Sequence, residues 1–294
     1  MLTVGRSVTL TNLAGRRAGD AEPTKNEAAV NNTFRDRVRL AIEAGVATIT
    51  LDRADKGNAL DLDMAKGLLE AGDATLASPD VHAVVLDAAG SSFCVGGDLR
   101  EFATQDFDAD YIASLAGTLH EFLTALRESD LLVVTAVQGI AAGGGMGLAL
   151  FGDIVLMGSS ARMRVAYTAA GLSPDCGVSF QLARTLGPAR AAELTLTNRI
   201  IDADEALAYG LVSRVVADDE LSAEAQEIAA LLAAGPQAAL AASVRLLRDA
   251  HQHTWSQHLD AEASSIVEMT RLADGREGVS AFLERRPPVF GTPS

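Results

Sequence analysis

The period of the apolar positions changes several times along the chain, and each change marks an element. From Val38, VRLAIEAG and then VATITLDR alternate at period two across Glu43-Ala44-Gly45, which predicts a hairpin. Asn58-Ala59-Leu60-Asp61 leads into helical spacing that runs to about Ala77, with Asp61 placed as the N-cap. His82 to Asp87 (HAVVLD) is a short apolar run bounded by turn residues, the pattern of a buried strand. A glycine-bearing loop, AAGSSFCVGGDL, follows it, and Tyr111 to about Arg127 returns to helical spacing. A second buried strand, Leu131 to Val137, runs into a second glycine loop, QGIAAGGGMG from Gln138 to Gly147. LALFG at helical spacing and the strand DIVLMG come next.

Strand, loop and helix thus alternate at least twice, which predicts an α/β fold with parallel pairing. Each glycine loop would then lie at the carboxyl end of a strand, where such folds place ligands. Beyond Gly171 the chain reads as successive helices over Val178–Leu186, Ala189–Thr197, Ala203–Tyr209 and Leu221–Ala234, with one short strand over Leu211–Val216. Pro236 opens one long helix to about Ala273, and Ser280 to Arg285 adds a turn or two before Pro287-Pro288. Residues 1–36 show no periodic apolar face and read as an N-terminal extension, residues 37–217 as the core, and residues 218–294 as a helical C-terminal region.

The second glycine loop organises the chain. Three consecutive glycines between a strand and a helix let another group approach the main chain closely. The first N–H groups of the helix have no intrahelical acceptor and sit at its positive end, which suits an oxygen that becomes an anion. Tight helix–strand packing explains the same glycines equally well on local grounds. A dinucleotide fingerprint fails because Leu148 stands where its third glycine belongs, and no G-K-[ST] follows for a phosphate loop.

Composition narrows the chemistry. A net charge of −15 argues against a nucleic-acid partner and obliges any phosphate-bearing ligand to find a local basic patch. No apolar run is long enough to cross a bilayer, so no membrane partner is expected. Two cysteines, Cys94 and Cys176, make neither a disulfide framework nor a metal cluster, and cytoplasmic placement and apolar filler roles are expected. Asp175 precedes the helix VSFQLARTL, where an Asp is usually an N-cap; held by the Pro174 turn it could instead be a base or nucleophile. His120 is a lone helical histidine. His251, His253 and His258 are placed together on the long C-terminal helix as a solvated face rather than a metal site.

Several motifs in order resemble one family. Phe93-Cys94-Val95-Gly96-Gly97-Asp98-Leu99, Ala141-Ala142-Gly143-Gly144-Gly145-Met146-Gly147-Leu148, Asp153-Ile154, Glu193 to Ile200, Glu205-Ala206, Gly210-Leu211-Val212 and Arg276 to Phe282 are similar to the crotonase (enoyl-CoA hydratase/isomerase) superfamily. The resemblance covers about residues 38–288 and implies a spiral of ββα units followed by a helical trimerisation region, in a homotrimer or hexamer. It implies an acyl-CoA thioester substrate, with CoA part of that substrate and no separate cofactor. The thioester oxygen would accept N–H groups from Gly97 and Gly144. Gly96, Asp98, Leu99, Ala59 and Gly143 would border the substrate, and Arg53 and Lys56 would supply positive charge to the CoA.

The two glutamates of the hydratases match Gly147 and Tyr167 here, so conventional hydration is disfavoured. Asp175 instead resembles the acid/base of Asp-dependent enoyl-CoA isomerases, the phenylacetate-pathway type included, and the nucleophile of 4-chlorobenzoyl-CoA dehalogenases. The resemblance implies first an isomerase in which Asp175 moves a proton between the α- and γ-carbons, Leu172, Val178 and the Tyr167 ring give it an apolar surrounding, and His120 is a bystander. The alternatives are a dehalogenase-like hydrolase with His120 as the base that activates water, and a non-catalytic CoA-binding homologue.

Overall fold

The computed structural model describes residues 30–291. Most of the N-terminal extension, residues 1–29, lies outside them. The chain opens with β1 (Val30–Phe34), β2 (Val38–Glu43) and β3 (Val46–Leu51), an antiparallel meander. A strand therefore occupies part of the stretch read as extension: β1 pairs with β2 from Val30↔Ile42 to Phe34↔Val38, and its mixed composition concealed it. Helix α1 (Leu62–Leu76) follows, its N-cap Asp61 accepting the Met64 N–H at 2.7 Å. Next come β4 (Ala83–Ala88), α2 (Leu99–Thr104), α3 (Ala109–Glu128), β5 (Leu132–Val137), β6 (Ile140–Ala142), α4 (Gly144–Ala149), β7 (Ile154–Gly158) and β8 (Arg162–Arg164). After α5 (Val178–Thr197) come β9 (Ile201–Asp202), α6 (Ala203–Ala208), β10 (Arg214–Val216) and four helices: α7 (Leu221–Ala233), α8 (Gln237–Asp249), α9 (Trp255–Met269) and α10 (Ala273–Glu284).

The main sheet has the order β1-β2-β3-β4-β5-β7-β10, parallel from β3 onward. Strands buried on both faces read as continuous apolar runs, and β4 shows the division of labour. Its Val84 and Leu86 join the larger core, which includes residues of α1 and α3, while Ala83 and Val85 join a second core with Leu221, Ala225 and Ile228 of α7. Helix α7, grouped by the sequence with the C-terminal helices, thus covers the back of the sheet. A small second sheet, β6-β8-β9, had no counterpart among the expected elements because its strands are only two or three residues long.

The helix expected from Pro236 to Ala273 is broken. Thr254 accepts the Gln257 N–H while the Gln257 side chain accepts the Thr254 N–H, a capping box that starts α9 afresh. His251 and His253 therefore precede α9 and only His258 lies on it, so the shared histidine face does not form. No single described helix is long and apolar enough to cross a membrane.

Candidate active site

The two glycine loops leave the carboxyl ends of β4 and β5 and run side by side. Asn58, fully buried, holds the first: its amide donates to the Ala89 and Ser92 carbonyls, and its oxygen accepts the Arg53 N–H. The loops are then stitched by Cys94 N–H to Ile140 O at 3.0 Å and Ala142 N–H to Cys94 O at 2.9 Å, a parallel bridge of Cys94 with Ala141. Three residues beyond each partner lie Gly97 and Gly144. Neither of these N–H groups has an acceptor among the described residues. Gly96 sits at φ +96°, and a Cβ there would stand 2.8 Å from the Ala142 carbonyl, so close approach of the loops requires glycine.

A cavity of about 370 Å³ opens over this pair. Leu60, Leu99, Phe102, Leu115 and Leu119 give it aliphatic and aromatic walls, with Tyr167 and Asp175 at its border. The Phe102 ring lies where a side chain at 97 would project, 2.8 Å from a Cβ built there. The phenol oxygen of Tyr167 is buried without a hydrogen-bond partner among the described residues. Burial first, then Cys176 and Asp175 nearby, push this phenol up and keep it protonated. Burial also pushes the Cys94 thiol up to about 12 and raises that of Cys176, so neither is a nucleophile at neutral pH.

Asp175 does not cap α5. Cys176 at φ 51° and Gly177 at φ 75° are consecutive left-handed residues, and the N-cap is Gly177, with no side-chain bond. The turn frees the Asp175 carboxylate to line the cavity, where its Oδ1 lies 2.5 Å from His120 Nε2 and its Oδ2 accepts the Cys176 thiol at 3.7 Å. His120 is therefore no bystander, which corrects the expectation from the sequence. The apolar enclosure expected for Asp175 is incomplete: Val178 is buried and Tyr167 packs on the core, but the Asp175 side chain is 35% exposed and Leu172 is exposed as well.

The cavity gathers Gly96, Gly97, Leu99, Gly143, Gly144, Tyr167, Leu172 and Asp175. It leaves out the expected polar rim. Arg53 is nearly buried and pairs with Asp98 at 2.8 Å and Asp61 at 3.2 Å, while also donating to the Ala59 carbonyl. Its charge is neutralised within the fold, so it is not the free phosphate contact expected of it. Asp98 is likewise engaged, capping α2 through the Arg100 and Glu101 N–H groups. Partial burial works to raise its carboxyl, but the Glu101 N–H, Arg53 and the Arg100 N–H together hold it below the usual range. Lys56 is exposed and has no ion-pair partner among the described residues.

Gly147, the position the resemblance matches to a hydratase glutamate, has no room for a side chain. A Cβ on Gly147 would stand 2.3 Å from the Cys176 carbonyl oxygen, so the backbone beside Asp175 fills the place a side chain would need. No local pattern signals this contact, nor Asn58 and Phe102 as supports; the α3 wall, by contrast, follows from its i, i+3, i+7 spacing at Ile112, Leu115 and Leu119.

The chain has known relatives along most of its length. Residues 41–293 match the family model for enoyl-CoA hydratase/isomerase. The chain is 38% identical over 253 residues to a protein of Rhodobacter capsulatus named "Probable enoyl-CoA hydratase", covering 86% of this chain and 97% of that one. It is 35% identical to the 1,2-epoxyphenylacetyl-CoA isomerase of Escherichia coli, covering 85% and 96%. The crystal structure of an enoyl-CoA hydratase from Polaromonas sp. JS666 superposes with a TM-score of 0.83 at 33% identity, covering 87% of this chain and 100% of that one.

Proposed function

The chain belongs to the enoyl-CoA hydratase/isomerase family, whose crotonase-fold enzymes act on CoA thioesters without a separate cofactor, and within it we propose that this member is an enoyl-CoA isomerase with Asp175 as acid/base. One observation carries the reading: Asp175 borders the same cavity as the N–H groups of Gly97 and Gly144, which have no acceptor among the described residues; the resemblance adds that Gly147 and Tyr167 stand where the hydratases carry their glutamates.

In a 3-enoyl thioester the acidic hydrogen is on the α-carbon, next to the carbonyl. Asp175 takes that proton, and the C–H electron pair moves into a dienolate whose oxygen accepts the Gly97 and Gly144 N–H groups. The protonated carboxyl then returns the proton to the γ-carbon, leaving the double bond conjugated with the thioester. His120 Nε2 holds one carboxylate oxygen at 2.5 Å and the Cys176 thiol donates to the other at 3.7 Å, which fixes the carboxylate at the border of the cavity. The apolar walls admit an aliphatic chain and exclude water from the dienolate. Exposed apolar residues on α9 and α10, such as Ile266 and Phe282, support assembly as a homotrimer or hexamer.

The His120–Asp175 contact also favours a second reading, a hydrolase in which Asp175 attacks the halogen-bearing ring carbon of a halobenzoyl thioester, halide leaves, and His120 activates the water that cleaves the resulting aryl ester to regenerate the carboxylate. Conversion of 3-enoyl-CoA to 2-enoyl-CoA, with halobenzoyl-CoA alongside, decides between them. In the isomerase, Asp175→Asn abolishes turnover, and His120→Gln retains part of it because a glutamine amide still reaches the carboxylate. An adduct on Asp175, seen by intact mass when His120→Gln meets halobenzoyl-CoA, would establish the hydrolase instead.

A further inference from the structure

Asp175 lines the acyl cavity, but His120 lines a neighbouring pocket of about 310 Å³, and Cys176 borders both. This second pocket lies between the C-terminal half of α3 and the start of α5, with Leu123, Arg127, Phe180 and Gln181 among its walls. His120 and Arg127 are seven residues apart on α3, so they share a face about two turns, or ~10 Å, apart. The two pockets share Cys176, so the guanidinium of Arg127 lies beyond Asp175 as seen from the acyl cavity, on the far side of His120.

Two further arginines, Arg184 and Arg248, lie behind Arg127, outside the pocket lining. Arg248 is held by both oxygens of Asp153 at 2.8 Å and donates to the Arg127 carbonyl at 2.7 Å. Arg184 donates to the Arg248 carbonyl at 3.2 Å and lies over the Phe180 ring at 4.8 Å. Only Arg248 has a carboxylate partner: among the described residues, Arg127 and Arg184 have none. Glu128 also lines the pocket, from an exposed rim position, and Asp249 is the remaining acid acting on Arg127. Burial, and then the charge of Arg248 and Arg184, depress the Arg127 group despite Asp153 and Asp249, though a guanidinium keeps its proton. A half-buried cation among cations is costly, and an added anion offsets both its burial and the repulsion. On a chain of net charge −15, such a cluster needs a reason.

We propose that this pocket is a distal subsite for the carboxylate end of an acyl chain, with Arg127 as its principal contact, so that ω-carboxyacyl-CoA thioesters are the preferred ligand class. The substrate assignment rests on the isomerase reading, but binding tests it without turnover. The probes are decanedioyl-CoA and decanoyl-CoA, saturated thioesters of equal length, titrated into the full-length protein by calorimetry. Decanedioyl-CoA binds about tenfold more tightly, the scale of one charge-assisted contact partly offset by desolvation. Arg127→Leu reduces the ratio of the two affinities to one or below, and Arg127→Lys keeps part of it. Because the ratio is taken within each protein, a general loss of affinity does not imitate the effect, and circular dichroism checks the fold. Equal or weaker binding of decanedioyl-CoA by the wild type overturns the proposal, as does a preference that survives in Arg127→Leu. A preserved preference in the wild type without 3-enoyl isomerisation leaves the subsite standing and removes only the isomerase.

Discussion

The spiral core and the last three helices use similar amounts of apolar sequence to opposite ends. In the core, apolar positions close on one another: Leu40, Ile49, Leu86, Phe93, Phe122 and Met146 are all less than 2% exposed. Spaces there are so small that glycines are dictated by neighbours. On α9 and α10 the apolar positions face outward, with Trp255 at 78% and Phe282 at 82%, and α9 buries none of its residues. The core is complete as one chain, whereas the helices leave a surface that one chain does not cover. Substitutions should therefore act locally and severely in the core, and through assembly in the helices.

The largest expected effect is at Gly144. A Cβ there stands 2.9 Å from Leu60 Cδ1 and 3.3 Å from Cys176 Sγ, so the branched side chain of Gly144→Val crowds these two and fills the cavity directly over the candidate N–H donor. Loss of one such donor costs ~10²–10³ in rate. Near-normal 3-enoyl-CoA turnover, with circular dichroism unchanged, would remove Gly144 from the site.

Asn58→Ala comes next and is read in stability. It strands the Ala89 and Ser92 carbonyls and the Arg53 N–H in a buried loop, and places alanine at φ 56°. With about 1–3 kcal/mol for each unsatisfied buried group, partly recovered by relaxation, a total loss of ~3 kcal/mol is expected. Denaturant unfolding that shows less than ~1 kcal/mol would mean the loops hold their place without this clamp.

What the sequence disclosed follows the same division. The strands β2 to β5, the Asp61 cap and the place of each glycine loop at the end of a strand were legible because each rests on local periodicity or turn chemistry. The resemblance supplied Asp175 and His120 as separate residues, and their contact spans 55 positions that no local pattern connects. The ion pairs of Arg53 are hidden from the sequence for a related reason. A basic residue in a loop reads as free until Asp61 and Asp98, eight and 45 residues away, are seen around it. The break at Thr254 was readable from Thr254 and Gln257 as a capping box, but continuous helical spacing on both sides masked it.

For the helices, Phe282→Asp tests whether their exposed face is an interface. The side chain makes little contact within its own chain, so the folding stability of an isolated protomer should change by less than ~0.5 kcal/mol. Buried between copies, an unpaired carboxylate would be costly. Light scattering at micromolar concentration should show a trimer or hexamer for the wild type and smaller species for the variant. A monomeric wild type would contradict the proposed assembly.

The smallest effect sharpens the contrast because it repeats a glycine substitution where the surroundings are open. Gly278 lies inside α10, and a Cβ there would meet Phe290 at 3.6 Å, an ordinary contact, rather than the tight packing around Gly144. Alanine loses less backbone entropy than glycine on entering a helix and adds apolar contact at no steric cost. Gly278→Ala should therefore stabilise the protein by about 0.5–1 kcal/mol and leave turnover unchanged, because α10 contributes nothing to the acyl cavity. Thermal unfolding at fixed protein concentration measures it, since assembly makes the midpoint depend on concentration. A loss of stability would show that α10 is packed more tightly in the assembled protein than in the single chain, with another copy approaching Gly278. That outcome would move the boundary between the two regions: α10 would then be governed by close packing as the core is, with the neighbouring copy supplying the atoms.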